Sequence, residues 1–193
     1  MNIEYEATFA DIDRDKMRRK LLETGAVLVK PEFLQRRVTF SLPKGNEIDG
    51  AYARVRDEGD KVTMSLKIID GERIESQKEV CLTVDNFEQA ELLLVTLGCI
   101  KKAYQETKRE LWLLDGVEIT IDEWPFLDPF VEIEGLSEGV VKAVAEKLGF
   151  DYTQAIFGAV DTMYMRKYPH LTADRINNHT PRIIFEGENP FIT

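Results

Sequence analysis

Hydrophobic and polar residues alternate with a period of two along much of this chain, the spacing of strands whose successive side chains point to opposite faces. In Asn2–Phe9, Ile3, Tyr5, Ala7 and Phe9 share one face, and Glu4, Glu6 and Thr8 share the other. Phe130–Gly135 repeats the grammar, with Val131 and Ile133 opposed to Glu132 and Glu134. Between these acidic strands lie basic ones. Tyr52-Ala53-Arg54-Val55-Arg56 sets Arg54 and Arg56 on one face. In the next run Lys61, Thr63, Ser65 and Lys67 alternate with Val62, Met64, Leu66 and Ile68. Ile74–Val84 places Gln77, Glu79, Cys81 and Thr83 together. Ile100–Leu114 places Gln105, Thr107 and Arg109 together, with Lys108 on the opposite face. Val117, Ile119 and Ile121 oppose Glu118, Thr120 and Asp122, and Asp115-Gly116 before them is a two-residue hairpin signal. Ala26–Leu42 also reads as strand, interrupted near Lys30-Pro31.

The period changes at intervals. Asp11 or Asp13 opens a helix to about Glu23, striped by Met17, Leu21 and Leu22 and stopped by Gly25. Asp85 with Glu88 forms a capping-box pattern for a helix through Leu97. Ser137–Leu148 is helical, and Asp151–Tyr168 reads as two short helices. Pro43-Lys44-Gly45-Asn46 is a turn cluster, and Trp124–Pro129 an apolar loop between prolines. Residues 169–193 carry no clear period and read as a tail, docked or partly disordered, behind a domain of residues 1–168.

With 193 residues, 44% of them hydrophobic, the chain suits one globular domain. A net charge of −10 argues against a binder of nucleic-acid polymers or of membrane surfaces. Cys81 and Cys99, the only cysteines, offer no disulfide framework, and the early Glu4 and Glu6 do not suit a secretory leader. The reading is therefore cytoplasmic. No apolar run is long enough to span a bilayer. A homodimer is left open by these totals.

About eight strand segments with one apolar and one polar face allow an α+β sandwich with polar faces in water. The polar faces, however, collect Glu4, Glu6, Arg54, Arg56, Lys67, Glu79, Arg109, Asp122, Glu132 and Glu134. A closed barrel can instead line its interior with these faces and cover the apolar faces with helices. Buried charge of one sign is prohibitive, but mixed charge becomes tolerable if the acids hold a metal and the bases an anion. Carboxylate oxygens suit hard dications such as Mg²⁺ or Mn²⁺, and Arg and Lys suit phosphate. Phosphoryl transfer needs mainly positioning and charge neutralisation. No Ser–His or Cys–His nucleophile set and no Gly-rich Walker loop is evident, and His170 and His179 read as surface residues.

The ordered motifs resemble the CYTH superfamily, the triphosphate tunnel metalloenzymes that include class IV adenylate cyclases, thiamine triphosphatases and inorganic triphosphatases. Glu4-Tyr5-Glu6-Ala7-Thr8 resembles the family's Glu-x-Glu-x-Lys, with Thr8 in place of the lysine. Arg54-Val55-Arg56, Thr63–Lys67, Glu79, Lys108–Trp112, Val117–Glu123 and Phe130–Gly135 resemble the strands that follow, over residues 1–168. The resemblance implies an eight-stranded antiparallel closed barrel forming a tunnel, with helices outside. It further implies Mg²⁺ or Mn²⁺ at Glu4, Glu6, Asp122, Glu132 and Glu134, and phosphates at Arg54, Arg56, Lys67 and Arg109. Glu79, Lys108 and Thr8 are supporting candidates, with Lys67 or Lys108 able to stand in for the absent lysine. Trp112, Trp124 and Phe126 read as core or rim packing. The implied ligand is a small triphosphate: tripolyphosphate, thiamine triphosphate or ATP. The leading function is a metal-dependent triphosphate hydrolase. A class IV adenylate cyclase making cyclic AMP and pyrophosphate is the first alternative, and a non-catalytic triphosphate-binding module the second. Which residues act catalytically is not assigned.

Overall fold

The structure, a computed structural model, describes residues 1–192. The alternating segments become strands β1 (Asn2–Phe9), β2 (Val27–Ser41), β3 (Ala51–Asp57), β4 (Val62–Ile69), β5 (Gln77–Val84), β6 (Ile100–Leu114), β7 (Val117–Glu123), β8 (Phe130–Gly135) and β9 (Arg182–Ile183). The helices are α1 (Arg14–Glu23), α2 (Phe87–Thr96), α3 (Glu138–Lys147), α4 (Asp161–Lys167) and α5 (Ala173–Asn178). The first eight strands are hydrogen-bonded in the order β2-β3-β4-β5-β1-β8-β7-β6, and β2 also pairs with β6. All eight junctions are antiparallel, so the sheet closes on itself and leaves no edge among them. The mixed α+β barrel thus takes the place of the sandwich.

Closure turns the usual polarity inside out. On the outer face of β1, β7 and β8, Ala7, Phe9, Ile119, Ile121, Val131 and Ile133 form a core with Met17 and Leu21 of α1 and Val141, Val144 and Ala145 of α3. Val38, Phe40, Ala53 and Val55 of β2 and β3 pack in the same way under Ala90 and Leu94 of α2. The polar faces turn inward. Apolar burial, at roughly 25 cal/mol per Å², acts between barrel and helices rather than at the barrel's centre.

Local chemistry sets the element ends. The Asp13 carboxylate accepts from the Lys16 amide and starts α1, while Gly25 (φ +85°) follows its last turn. Leu22, counted in the apolar stripe, is 63% exposed; Met17 and Leu21 alone bury, because they lie about one turn apart. The cap of α2 is Asn86, whose Oδ1 accepts from the Gln89 amide at 2.8 Å, and not Asp85. The β6–β7 hairpin turns at Asp115 and Gly116, with φ of +54° and +81°, as a two-residue Asp-Gly loop requires. The interruption near Pro31 is real: β2 changes register against β6 between Leu28 and Phe33. Residues 169–192, featureless in period, contain α5 and β9. They dock through Ile176, Ile183 and Phe191 onto Trp124, Phe130 and Tyr164. The Trp124–Pro129 loop is pinned there, with the Tyr164 and Tyr168 hydroxyls donating to the Pro125 and Phe126 carbonyls at 2.8 and 2.9 Å.

Candidate functional site: a two-walled charged lumen

Register decides what faces the interior. In β1, Glu6 lies opposite Glu134 and Thr8 opposite Glu132, while in β7 Glu118 and Thr120 lie opposite the same two residues. Three adjacent strands therefore carry one acidic wall: Glu4, Glu6, Glu118, Asp122, Glu132 and Glu134. Across the barrel, Arg56 pairs in register with Arg37, Arg54 with Ser65, and Lys67 with Tyr52 and Glu79. Glu4, Glu6, Glu118, Glu132 and Glu134 on one side and Arg37, Arg54, Arg56 and Lys67 on the other border a cavity of about 1110 Å³, which also touches Asp161, Asn177 and Asn178 of the docked C-terminal helices.

Ion pairs tie the walls together. The Arg109 fork donates to both oxygens of Asp122 at 2.7 and 2.6 Å and to Glu132 at 2.6 Å. Lys67 Nζ stands 2.8 Å from Glu4 Oε2, and Arg54 donates to Glu79 at 2.9 Å. Arg56 pairs with Glu58 at 2.8 Å. Of the acids, Glu6 receives only an amide hydrogen, from Gln77 at 3.2 Å, and Glu134 makes no ion pair among the described residues.

The acids repel one another in a dry place. Burial, then the nearby Glu6, lifts both Glu132 and Glu134, Glu132 well above the usual carboxylate range. Burial and the carboxyl contact with Glu79 push Glu4 up to about 7, against the pull of Lys67. Burial works against Asp122 too, but the Arg109 fork prevails and holds its carboxyl low. Lys67 stays firmly protonated despite burial, because Glu6 and Glu4 stand over it. The basic wall carries the mirror-image stress. Arg37 is drawn well below the ordinary arginine value by burial and by Arg54, Arg56 and Arg109, and burial with Arg54 lowers Arg56 to about 10. The Nε–H groups of Arg37, Arg54 and Arg56 are buried and lack any acceptor among the described residues.

Most of the residues singled out from sequence therefore line one lumen: Glu4, Glu6, Arg54, Arg56, Lys67, Glu79, Arg109, Glu132 and Glu134, with Asp122 buried behind Arg109 and Thr8 buried in register with Glu132. Lys108 does not join them. Its parity turns it outward, and its ammonium lies 4.6 Å from the centre of the Phe185 ring in the C-terminal segment. It cannot stand in for the lysine that Thr8 replaces, and Lys67 is already engaged by Glu4. The packing roles of Trp112 and Trp124 hold, at 3% and 5% exposure, although Trp124 also lies under Arg37, 4.5 Å from its guanidinium carbon. Sequence reading missed Arg37, Gln35 and Glu118. Parity alone could have found Glu118. Arg37 stands beside an equally charged Arg36 that turns outward to Asp57, and the bulge at Pro31 hides which of the two faces in.

The acidic wall has the donors a hard dication needs. All are carboxylate oxygens, three of the acids (Glu6, Glu118 and Glu134) lack a cation partner among the described residues, and burial together with neighbouring carboxylates raises Glu4, Glu132 and Glu134. Among the described residues no three carboxylates converge as a ready-made cage, since Lys67 and Arg109 hold several of them. Mg²⁺ asks for little more than one or two direct carboxylates, because it keeps several waters.

The CYTH domain model matches residues 2–161. The chain belongs to the CYTH family. Its fold recurs in the PH1012 protein of Pyrococcus horikoshii OT3, 22% identical with a TM-score of 0.70 over 83% of this chain and 99% of that one. It recurs in a Vibrio parahaemolyticus protein provisionally assigned as an adenylate cyclase, 11% identical with a TM-score of 0.72 over 84% and 98%. A third is the Hippeastrum protein HpAC1, described with a dominant triphosphatase activity, 11% identical with a TM-score of 0.55 over 90% and 98%. At these identities the likeness is one of fold. No curated protein matches the chain. Among the described residues, no helix of this CYTH protein is long and apolar enough to cross a membrane.

Proposed function

We propose that this CYTH protein is a metal-dependent phosphohydrolase that takes an inorganic or organic triphosphate into its barrel. One observation carries the reading: a single lumen holds carboxylates on one wall and, facing them, arginines whose buried Nε–H groups have no acceptor. Buried polar groups left unpaired in this way are rare in folded proteins and point to a missing partner, here an anion. Arg54, Arg56, Lys67 and Arg109 would bind the phosphate oxygens, the guanidinium forks fixing orientation as well as charge. Glu4, Glu6, Asp122, Glu132 and Glu134 would hold Mg²⁺ or Mn²⁺. Such an ion, when bound, neutralises phosphate oxygens and lowers the pKa of a bound water. The reaction forms one oxygen–phosphorus bond from water and breaks the terminal phosphoanhydride, with diphosphate leaving and the water's protons passing to solvent. Dedicated nucleophilic side chains are not needed, since positioning and charge neutralisation do most of the work.

The test supplies tripolyphosphate, thiamine triphosphate or ATP, with Mg²⁺ or Mn²⁺, and quantifies orthophosphate, pyrophosphate and cyclic AMP. Orthophosphate from at least one triphosphate, with little cyclic AMP, is the expected result. Pyrophosphate and cyclic AMP in equal amounts would make the protein a cyclase. Saturable triphosphate binding without product would make it a binding module.

A further inference from the structure

Arg37 differs from the other three lumen arginines. Arg54, Arg56 and Arg109 each face a carboxylate at 2.9 Å or less. Arg37 has no carboxylate partner among the described residues. Its Nη2 donates to two neutral oxygens, Gln35 Oε1 at 2.9 Å and Thr107 Oγ1 at 2.7 Å. Thr107 in turn donates to Gln35 at 3.0 Å, and the guanidinium lies over the Trp124 ring. The residue is 6% exposed, and its Nε–H has no acceptor. A charge so buried and so carefully held costs stability unless something supplies the opposite charge. Gln35, Thr107 and Trp124 fix its position without neutralising it, which is how a binding group is preorganised.

Its place in the barrel narrows what that something is. In the circular order of eight strands, β2 is four steps from β1 in either direction. Arg37 thus stands on the strand diametrically across from Glu4 and Glu6. With strands ~4.8 Å apart and tilted ~40°, eight of them enclose a backbone circle about 16 Å across. A phosphate chain anchored on the acidic side must extend over the lumen to reach Arg37. Its terminal group, which carries close to two charges at neutral pH, is the part that an unneutralised cation favours.

Resting on the triphosphate reading, we propose that Arg37 is a specificity-determining residue that binds the terminal phosphoryl group and makes the site prefer three phosphates to two. The test is a calorimetric titration of tripolyphosphate and of pyrophosphate, each with Mn²⁺, into wild type, Arg37→Gln and Arg37→Lys. Arg37→Gln should lose about tenfold or more in tripolyphosphate affinity but little for pyrophosphate, as expected for one contact to a charged group. Arg37→Lys keeps the charge but not the fork and should recover part of the preference; it also serves if the Gln variant fails to fold. A merely structural role would not move the ratio of the two affinities. If wild type binds tripolyphosphate and the ratio is unchanged in the variants, the role of Arg37 is overturned and the triphosphate reading stands. If wild type binds neither anion, both are overturned.

Discussion

Arg109 gives the sharpest test of how the lumen is held together. Its guanidinium makes three short hydrogen bonds, two to Asp122 and one to Glu132, and bridges β6, β7 and β8. Asp122 is fully buried, and without Arg109 its one other side-chain partner is the Thr120 hydroxyl at 2.9 Å. Arg109→Gln would therefore strand a carboxylate. Removing one member of a buried ion pair costs roughly 3–5 kcal/mol, because the charge left behind remains desolvated. Arg109 is about one-fifth exposed to the lumen, which favours the lower end. At ~2–4 °C per kcal/mol for a chain of this size, a loss of ~3 kcal/mol lowers the melting temperature by about 6–12 °C. Glu132 moderates the loss, since it can take up a proton. The assay is thermal or urea unfolding in a chelator, on Arg109→Gln, Asp122→Asn and the double variant. Asp122→Asn removes the stranded charge, so the double variant should recover stability relative to Arg109→Gln. Mn²⁺ should also stabilise Arg109→Gln more than wild type, by restoring positive charge to that wall. An unchanged melting temperature in Arg109→Gln, or effects that simply add, would refute the claim that this fork neutralises Asp122.

Three further outcomes follow from the same lumen. Glu134→Gln keeps the shape of a carboxylate that lacks an ion pair but removes its charge. It should weaken Mn²⁺ binding in a calorimetric titration while circular dichroism stays native, and equal Mn²⁺ affinity would count against the metal wall. Arg54→Ala or Arg56→Ala should each reduce tripolyphosphate affinity by about tenfold or more, the effect of losing ~1.5–3 kcal/mol of hydrogen bonding to charge; undiminished affinity in both would remove the phosphate role. In chelator, the melting temperature should fall as the pH is raised from 4.5 toward 7. Glu4, Glu132 and Glu134 bind protons more tightly folded than unfolded, so their stabilising protonation is lost across that window. A melting temperature that rises there instead would contradict the raised acids.

The barrel was legible because its strands are inside out and still strictly alternating. Parity assigned Glu4 with Glu6, Arg54 with Arg56, and Glu132 with Glu134, and antiparallel pairing then brought these faces to one interior. Parity fails where the backbone slips. β2 carries a bulge near Pro31 and two consecutive arginines, so nothing local says that Arg36 turns out to Asp57 and Arg37 turns in. It fails again past Pro169. Ile176, Ile183 and Phe191 join one cluster with Trp124, Phe130 and Tyr164, but they stand seven and eight residues apart on different short segments and leave no period to read. The α2 cap shifted from Asp85 to Asn86 for a similar reason: both side chains can accept, and only the backbone path decides which one reaches the Gln89 amide.

Thr8 bears on why the acidic wall is so strained. It sits in register with Glu132, and its backbone exchanges hydrogen bonds with Ile156 at 3.0 and 2.9 Å, which ties β1 to the segment leading into α4. A lysine there would set a cation directly across from Glu132. Threonine leaves Arg109 as the only cation paired with Glu132 among the described residues, and Arg109 divides its fork with Asp122. Burial, Glu6 and Asp122 raise the proton affinity of Glu132, and Arg109 offsets this in part. On the opposite wall stands Arg37, which has no carboxylate partner among the described residues. A charged lumen with its excess acids on one side and an excess base on the other is poorly balanced when empty. On the proposed function it would become balanced when a dication met the acids and a polyanion reached across to the arginine. On this view Thr8 does not disable the site. If the proposed metal site holds, the threonine would shift neutralisation of the acidic wall from a fixed lysine to an exchangeable ion, and the stability and anion affinity of the barrel would then depend on that ion.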